Sequence, residues 1–138
     1  MRFIALDVGT RRIGIAVSDP SGLIAQVHSV WLRKSPHNDY AHIAGVCSGY
    51  EDLQSVVVGL PLNMNGTVGE KALEIMAFIE KLKPFLDCPV VTWDERMTTV
   101  SAEQLLISAN VTRKKRRQIV DKVAAVYILQ SYLDRINN

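Results

Sequence analysis

The chain has 138 residues, 48% of them hydrophobic and 22% charged, which predicts one folded domain over residues 1–138 and excludes disordered and collagen-like classes. No apolar run approaches the ~20 residues that span a bilayer, and the N-terminus opens on a strand pattern instead of a leader, so a cytosolic protein without a membrane partner is expected. The net charge of +2 conceals an asymmetry: five of the 16 bases are consecutive, Arg113-Lys114-Lys115-Arg116-Arg117, and the remaining 11 bases face 14 acids.

In chain order, Phe3–Leu6 is a short apolar strand ending at Asp7, punctuated by Gly9. Ile13, Ile15 and Val17 alternate with Arg12, Gly14 and Ala16, predicting a second strand after a tight turn, and Asp19-Pro20-Ser21-Gly22 is a turn cluster. A third strand is expected over 23–32, completing an antiparallel meander. Ile43, Val46, Cys47 and Tyr50 have helical spacing, with Asn38 or Asp39 as the cap. Ser55–Gly59 is a continuous apolar strand of the kind covered on both faces. Ala72, Ile75, Met76, Ile79 and Leu82 mark a helix face that Pro84 closes, and Pro89–Trp93 is the next strand. Thr98 or Thr99 can cap a helix containing Ala102, Leu105, Leu106 and Ala109, and a long helix is expected from about Ile119 to Ile136, after the basic run. The fold class is therefore α/β: a mixed five-stranded sheet, antiparallel over its first three strands and then parallel in βα units, with helices on both faces. Ligands of such sheets bind beyond the carboxyl ends of the parallel strands.

Three acids occupy telling places. Asp7 ends the first strand, Glu95 follows the last, and Asp121 has Ala124, Ala125 and Ile128 as its helical neighbours, a small apolar face suited to packing on the sheet. Taken singly, Asp7 serves as a turn acceptor, Glu95 as a partner for Arg96, and Asp121 as an anion at a helix N-terminus. If the strands bearing Asp7 and Glu95 lie side by side, the three carboxylates converge, and such a cluster calls for a cation. Hard divalent ions, Mg²⁺ or Mn²⁺, take oxygen ligands, and a pair of them suits phosphodiester hydrolysis. His28, His37 and His42 share no ligand spacing, and Cys47 and Cys88 read as buried thiols.

The segment Gly59-Leu60-Pro61-Leu62-Asn63-Met64-Asn65-Gly66-Thr67 joins a strand to a helix. It offers Asn63, Asn65 and Thr67 to a backbone phosphate, although a rigid turn alone explains it. Arg96, the Arg11-Arg12 pair and Arg113–Arg117 are the candidate phosphate contacts, with a solvated surface as the plain alternative for the charge runs. With 7% aromatic residues and no clustered stacking platform, recognition of shape and backbone fits better than reading of bases.

Four motifs occur in order: Asp7-x-Gly9-Thr10-x-x-Ile13-Gly14-Ile15-Ala16, the 58–67 segment beginning Val58-Gly59-Leu60-Pro61, Trp93-Asp94-Glu95-Arg96-Met97-Thr98-Thr99-Val100, and Asp121-Lys122-x-Ala124-Ala125. Together they closely resemble the bacterial YqgF family, also called RuvX, of RNase H-like nucleases, over essentially the whole chain. Met97 stands where leucine is commoner, a volume-conserving departure. The resemblance implies an RNase H-like fold and Asp7, Glu95 and Asp121 as a catalytic triad holding Mg²⁺ or Mn²⁺, two ions in all. It implies as substrate either precursor 16S ribosomal RNA, trimmed at its 5′ end, or branched DNA of the Holliday-junction type. A monomer suffices for the first, and symmetric cutting of the second needs a dimer, so a monomer or weak homodimer is expected. The Asp7-x-Gly9-Thr10 turn also resembles the nucleotide-binding domains of sugar kinases and actin-like ATPases, which close two such domains around a nucleotide. A third possibility, of another class, is a non-catalytic RNA- or ribosome-binding protein.

Overall fold

The computed structural model describes residues 1–97 and 113–138, with Met97 and residues 113–122 described by their backbone alone. The strands are β1 (Arg2–Val8), β2 (Arg12–Ser18), β3 (Ala25–Leu32), β4 (Leu53–Leu60) and β5 (Val90–Asp94), and the helices are α1 (Pro36–Ser48), α2 (Glu70–Leu82) and α3 (Arg113–Ile136). The helix expected around residues 102–109 lies outside the described residues.

The sheet order is β3-β2-β1-β4-β5. β1, β2 and β3 form the antiparallel meander, while β4 runs parallel to both β1 and β5. The strands carrying Asp7 and Glu95 are thus not side by side, because β4 lies between them. Residues of opposite parity build two cores. Ile4, Leu6, Ile13, Ile15, Val56 and Val58 pack against α1 and α2 through Ile43, Ile75, Phe78 and Leu82. Phe3, Ala5, Ala16 and Val57 pack against Ala125, Ile128, Leu129 and Leu133 of α3. The alanines on both sides of this second interface let the helix lie close to the sheet. β2 is consequently buried on both faces from Ile13 to Ser18, not alternately as its pattern suggested.

Several local expectations change for identifiable reasons. β1 continues through Asp7 to Val8, and β3 starts at Ala25 because Asp19 captures the residues before it. The Asp19 carboxylate accepts from the backbone amides of Leu23 and Ile24 and from the Ser21 hydroxyl. These bonds, the Ser21 one foremost, hold its pKa down at about 2. Gly22 supplies the left-handed backbone that the turn requires, at φ 74°. Ser35, not Asn38 or Asp39, caps α1, and Asp39 is buried. In α2, Phe78 turns inward and Met76 is exposed. The basic run is not a segment ahead of the last helix but its first five residues. Cys47 is buried and Cys88 half-buried, both as free thiols, and burial pushes the Cys47 thiol up to about 12. His42 stacks on Trp31 at 3.7 Å between ring centroids. Among the described residues no helix is long and apolar enough to cross a membrane.

Candidate active site at the carboxyl edge of the sheet

Asp7 lies in the central strand, on the same face as Phe3 and Ala5 and therefore on the side of α3. Glycine stands on either side of it. Gly14 is its partner on β2, and the register that pairs Leu6 with Val58 brings Gly59 of β4 to its level. Glu95 opens a 3₁₀ turn, Glu95–Met97, directly after β5. Its carboxylate crosses back over β4: Oε2 lies 3.4 Å from where a Cβ on Gly59 would sit. Adjacent strands are ~4.8 Å apart, so the absent side chain of Gly59 is what lets a carboxylate from β5 approach one from β1. A glycine within an otherwise apolar strand was the available signal of this close approach. Both carboxylates are half-buried.

The same glycine fixes α3. Ile128 Cδ1 would be 2.6 Å from a Cβ on Gly59, so the helix rests directly on the β4 backbone. At the other edge of the sheet, Gln130 bonds Ala25 N and Leu23 O, and Asn137 bonds Gly22 O. The N-terminal half of α3 therefore leads out over the carboxyl ends of β1 and β4. Asp121 stands on that half, seven residues before Ile128 and about 10 Å further along the axis at 1.5 Å per residue. As the ninth residue of the helix it is no N-terminal cap. Arg113–Arg117 occupy the two turns before it; their side chains and that of Asp121 lie outside the described ones.

The loop after β4 is held by its own polar groups. Asn63 N donates to Thr67 O (2.9 Å) and Gly66 N to Asn63 O (2.8 Å), with Gly66 at φ 86°. Asn63 Nδ2 donates to Thr67 Oγ1, which with Thr67 N donates to Asn65 Oδ1. Arg96 clamps the loop to β5: its Nη1 donates to Met64 O at 3.0 Å, and Asp94 accepts from Nε and, at 2.6 Å, from Nη2. These hydrogen bonds hold the Asp94 carboxyl below its ordinary value and raise that of Arg96. Asp94 did not emerge from sequence reasoning, since only the fold shows that its neighbour Arg96 reaches back to another loop. Asn63, Asn65, Thr67 and Arg96, all expected at a phosphate, thus sit beside the carboxylates but spend much of their bonding on one another.

Arg11, in the β1–β2 turn, and Arg12, the first residue of β2, are both exposed. Gly9 is required there, because a Cβ would lie 2.8 Å from Arg12 O. Behind the turn, Asp39 accepts from Trp31 Nε1 (2.9 Å) and Arg33 Nε (3.0 Å), and Arg33 Nη1 donates to Gly9 O (2.8 Å).

Carboxylate oxygens from neighbouring positions of one sheet edge suit a hard divalent cation, beyond the point where Ile128 covers Gly59. Among the described residues, which leave out the Asp121 side chain, no three His, Cys, Asp or Glu side chains gather to hold a metal ion.

A mixed sheet of this order, with acids at its carboxyl edge and a long helix across one face, defines an RNase H-like domain. The RuvC of Thermus thermophilus, solved with a Holliday junction substrate, has the same fold at a TM-score of 0.55 and 14% identity, covering 99% of this chain and 96% of that one. The fowlpox virus resolvase, solved with Holliday junction DNA, superposes at 0.52 and 14% identity over 100% of both chains. In sequence, a protein of Syntrophomonas wolfei carrying the name "Putative pre-16S rRNA nuclease" is 48% identical over 134 residues, 97% of this chain and 94% of its own. One of Clostridium novyi with the same name is 49% identical over 136 residues, 99% of this chain and 100% of its own. The family profile described as RuvX, Holliday junction resolvase, matches residues 1–135, and the chain belongs to the RuvX family.

Proposed function

We propose that the chain is a cytoplasmic, metal-dependent nuclease that hydrolyses phosphodiester bonds in structured nucleic acid and processes the 5′ end of pre-16S rRNA. The observation that carries this reading is the Glu95 carboxylate lying over Gly59, one strand spacing from Asp7. Two half-buried acids at one sheet edge offer the hard oxygen ligands that a divalent cation takes. Asp7, Glu95 and Asp121 are the residues that would hold it, with Asp7 central on the middle strand. Mg²⁺ or Mn²⁺, as a pair of ions, would supply charge neutralisation, activation of a water and stabilisation of the leaving oxygen.

The chain's own groups do the rest. α3 carries Asp121 and the Arg113–Arg117 run on one rod, so cations that grip flanking phosphates are fixed relative to the acids. Arg11 and Arg12 take phosphate on the opposite side of Asp7. Asn63, Asn65, Thr67 and Arg96 border the cut and fix the loop that faces the substrate. A monomer suffices for trimming an RNA end. The names of the relatives favour the RNA substrate; the family description favours a second reading, a resolvase of branched DNA.

Side-by-side cleavage of a labelled pre-16S 5′-leader RNA and a four-way DNA junction, with Mn²⁺, Mg²⁺ or EDTA, tests both. Metal-dependent cutting of the RNA, lost by more than ~10²-fold in Asp7→Asn while binding persists, is expected. Cutting of the junction alone would move the substrate to DNA. Neither cut, with Asp7→Asn binding as tightly as wild type, would leave a binding protein.

A further inference from the structure

By its composition the β4–α2 loop offers polar groups to phosphate. In the structure those groups are turned on one another, and the side chain left projecting from the tip is apolar. Met64 is 89% exposed, the most exposed large hydrophobic side chain among the described residues. Its backbone is held firmly: Arg96 binds its carbonyl, Asp94 holds Arg96, and the neighbouring Asn63–Thr67 bonds close the turn. Lone exposed hydrophobics are ordinary on a protein surface. This one sits on a braced tip whose clamp starts from Asp94, the residue beside Glu95, and so stands at the edge of the acidic site.

We propose that Met64 is a wedge, inserted between bases of the bound nucleic acid next to the scissile phosphodiester. The proposal rests on the nuclease reading. The apolar surface that a nucleic acid offers is the faces of its bases, and these are reached only by opening a stacked step. Methionine is among the side chains suited to that insertion, being unbranched, polarizable and adaptable. Opening a step needs a support that does not yield, and the Asp94–Arg96 clamp supplies one. In this role the loop favours a paired or branched substrate, from which a base must be displaced, over a single strand already unstacked.

The test compares wild type, Met64→Ala and Met64→Leu. Met64 makes no core contact, so the variants fold, and unfolding curves check this. On a paired or branched substrate, Met64→Ala should cut about tenfold more slowly, Met64→Leu should stay within about twofold, and all three should cut a single-stranded oligonucleotide alike. A second readout does not need turnover: a duplex RNA and a DNA junction, each carrying 2-aminopurine beside the cut, are bound to the same variants in the Asp7→Asn background. Fluorescence should rise on binding when the tip carries methionine or leucine, and stay flat with Met64→Ala. Equal rates and equal fluorescence in all variants would overturn the wedge, as would an equal loss on paired and single-stranded substrates. If nothing is cut yet fluorescence rises only with the larger side chains, the nuclease reading fails and the wedge stands. If cutting is normal and fluorescence flat throughout, the reverse holds.

Discussion

Two loops flank the acidic edge, and each is braced by an Arg–Asp pair. Behind the β1–β2 turn, Asp39 is 1% exposed and binds Arg33 at 3.0 Å, and Arg33 holds Gly9 O. Beside the β4–α2 loop, Asp94 and Arg96 pair at 2.6 Å with about a third of each side chain exposed, and Arg96 holds Met64 O. The bonding chemistry is the same; burial is not. A buried carboxylate with Trp31, Arg33 and the Lys34 amide as donors cannot lose its partners to water, so it helps hold the fold. A solvated pair contributes little to folding and can still fix where a loop sits. One brace is structural and the other positional.

The sharpest test of that distinction removes each acid. Asp39→Ala takes the buried acceptor away from Trp31 Nε1, Arg33 Nε and the Lys34 amide, while Arg33 keeps Gly9 O, and should cost about 2 kcal/mol in urea unfolding. Asp94→Ala should leave the unfolding midpoint almost unchanged while lowering cleavage. Equal destabilisation by the two substitutions would break the comparison.

Much of this architecture was legible in the sequence, and the gaps have physical causes. The βαβ order, the antiparallel meander and the strand-end acids follow from periodicity and punctuation, which are local. Asp39 resembled a helix cap because caps are also local, but the indole and guanidinium that claim it come from β3 and the residue after it, fixed only by the tertiary fold. The polar residues 63–67 looked like phosphate ligands because composition cannot say whether side chains bond outward or to one another. Met76 and Phe78 exchanged places because helical spacing alone admits either as the edge of an apolar stripe. The separation of β1 from β5 was not visible either, since sheet order depends on long-range pairing, and Gly59 acquires its meaning only once β4 is known to lie between them.

Gly59 stands between the two braced loops and sharpens the contrast from the middle. In Gly59→Ala the new Cβ meets Ile128 Cδ1 at 2.6 Å and Glu95 Oε2 at 3.4 Å. The first contact overpacks α3 on the sheet and should cost about 1 kcal/mol. The second displaces a carboxylate of the site. Adding Ile128→Val removes the clashing methyl, so the double variant should regain stability relative to Gly59→Ala without regaining cleavage. Recovery of both together would mean that only the helix packing matters at this position, and that Glu95 tolerates the shift.

The smallest expected effect concerns the exposed brace and acid. The folded-state pKa of Asp94 is lowered from 3.8, chiefly by the Arg96 hydrogen bonds. A carboxyl whose pKa is depressed on folding contributes fully above its unfolded value, and the contribution is lost as pH falls through the folded one. The Asp94–Arg96 clamp should therefore hold unchanged from neutral pH down to about 4, near the unfolded Asp value, and yield below it. Hydrogen exchange reads this directly at the amides of Gly66 and Thr67, which bond within the loop. Their protection should be flat from about pH 7 to 4 after correction for the intrinsic rate, fall in more acid solution, and be weak at every pH in Arg96→Ala. The Gly9 amide, bonded to Arg12 O behind the other brace, should not respond to that substitution. Loosening of residues 66 and 67 already between about pH 7 and 5 would assign the brace to a group other than Asp94, and the parallel between the two Arg–Asp pairs would fail.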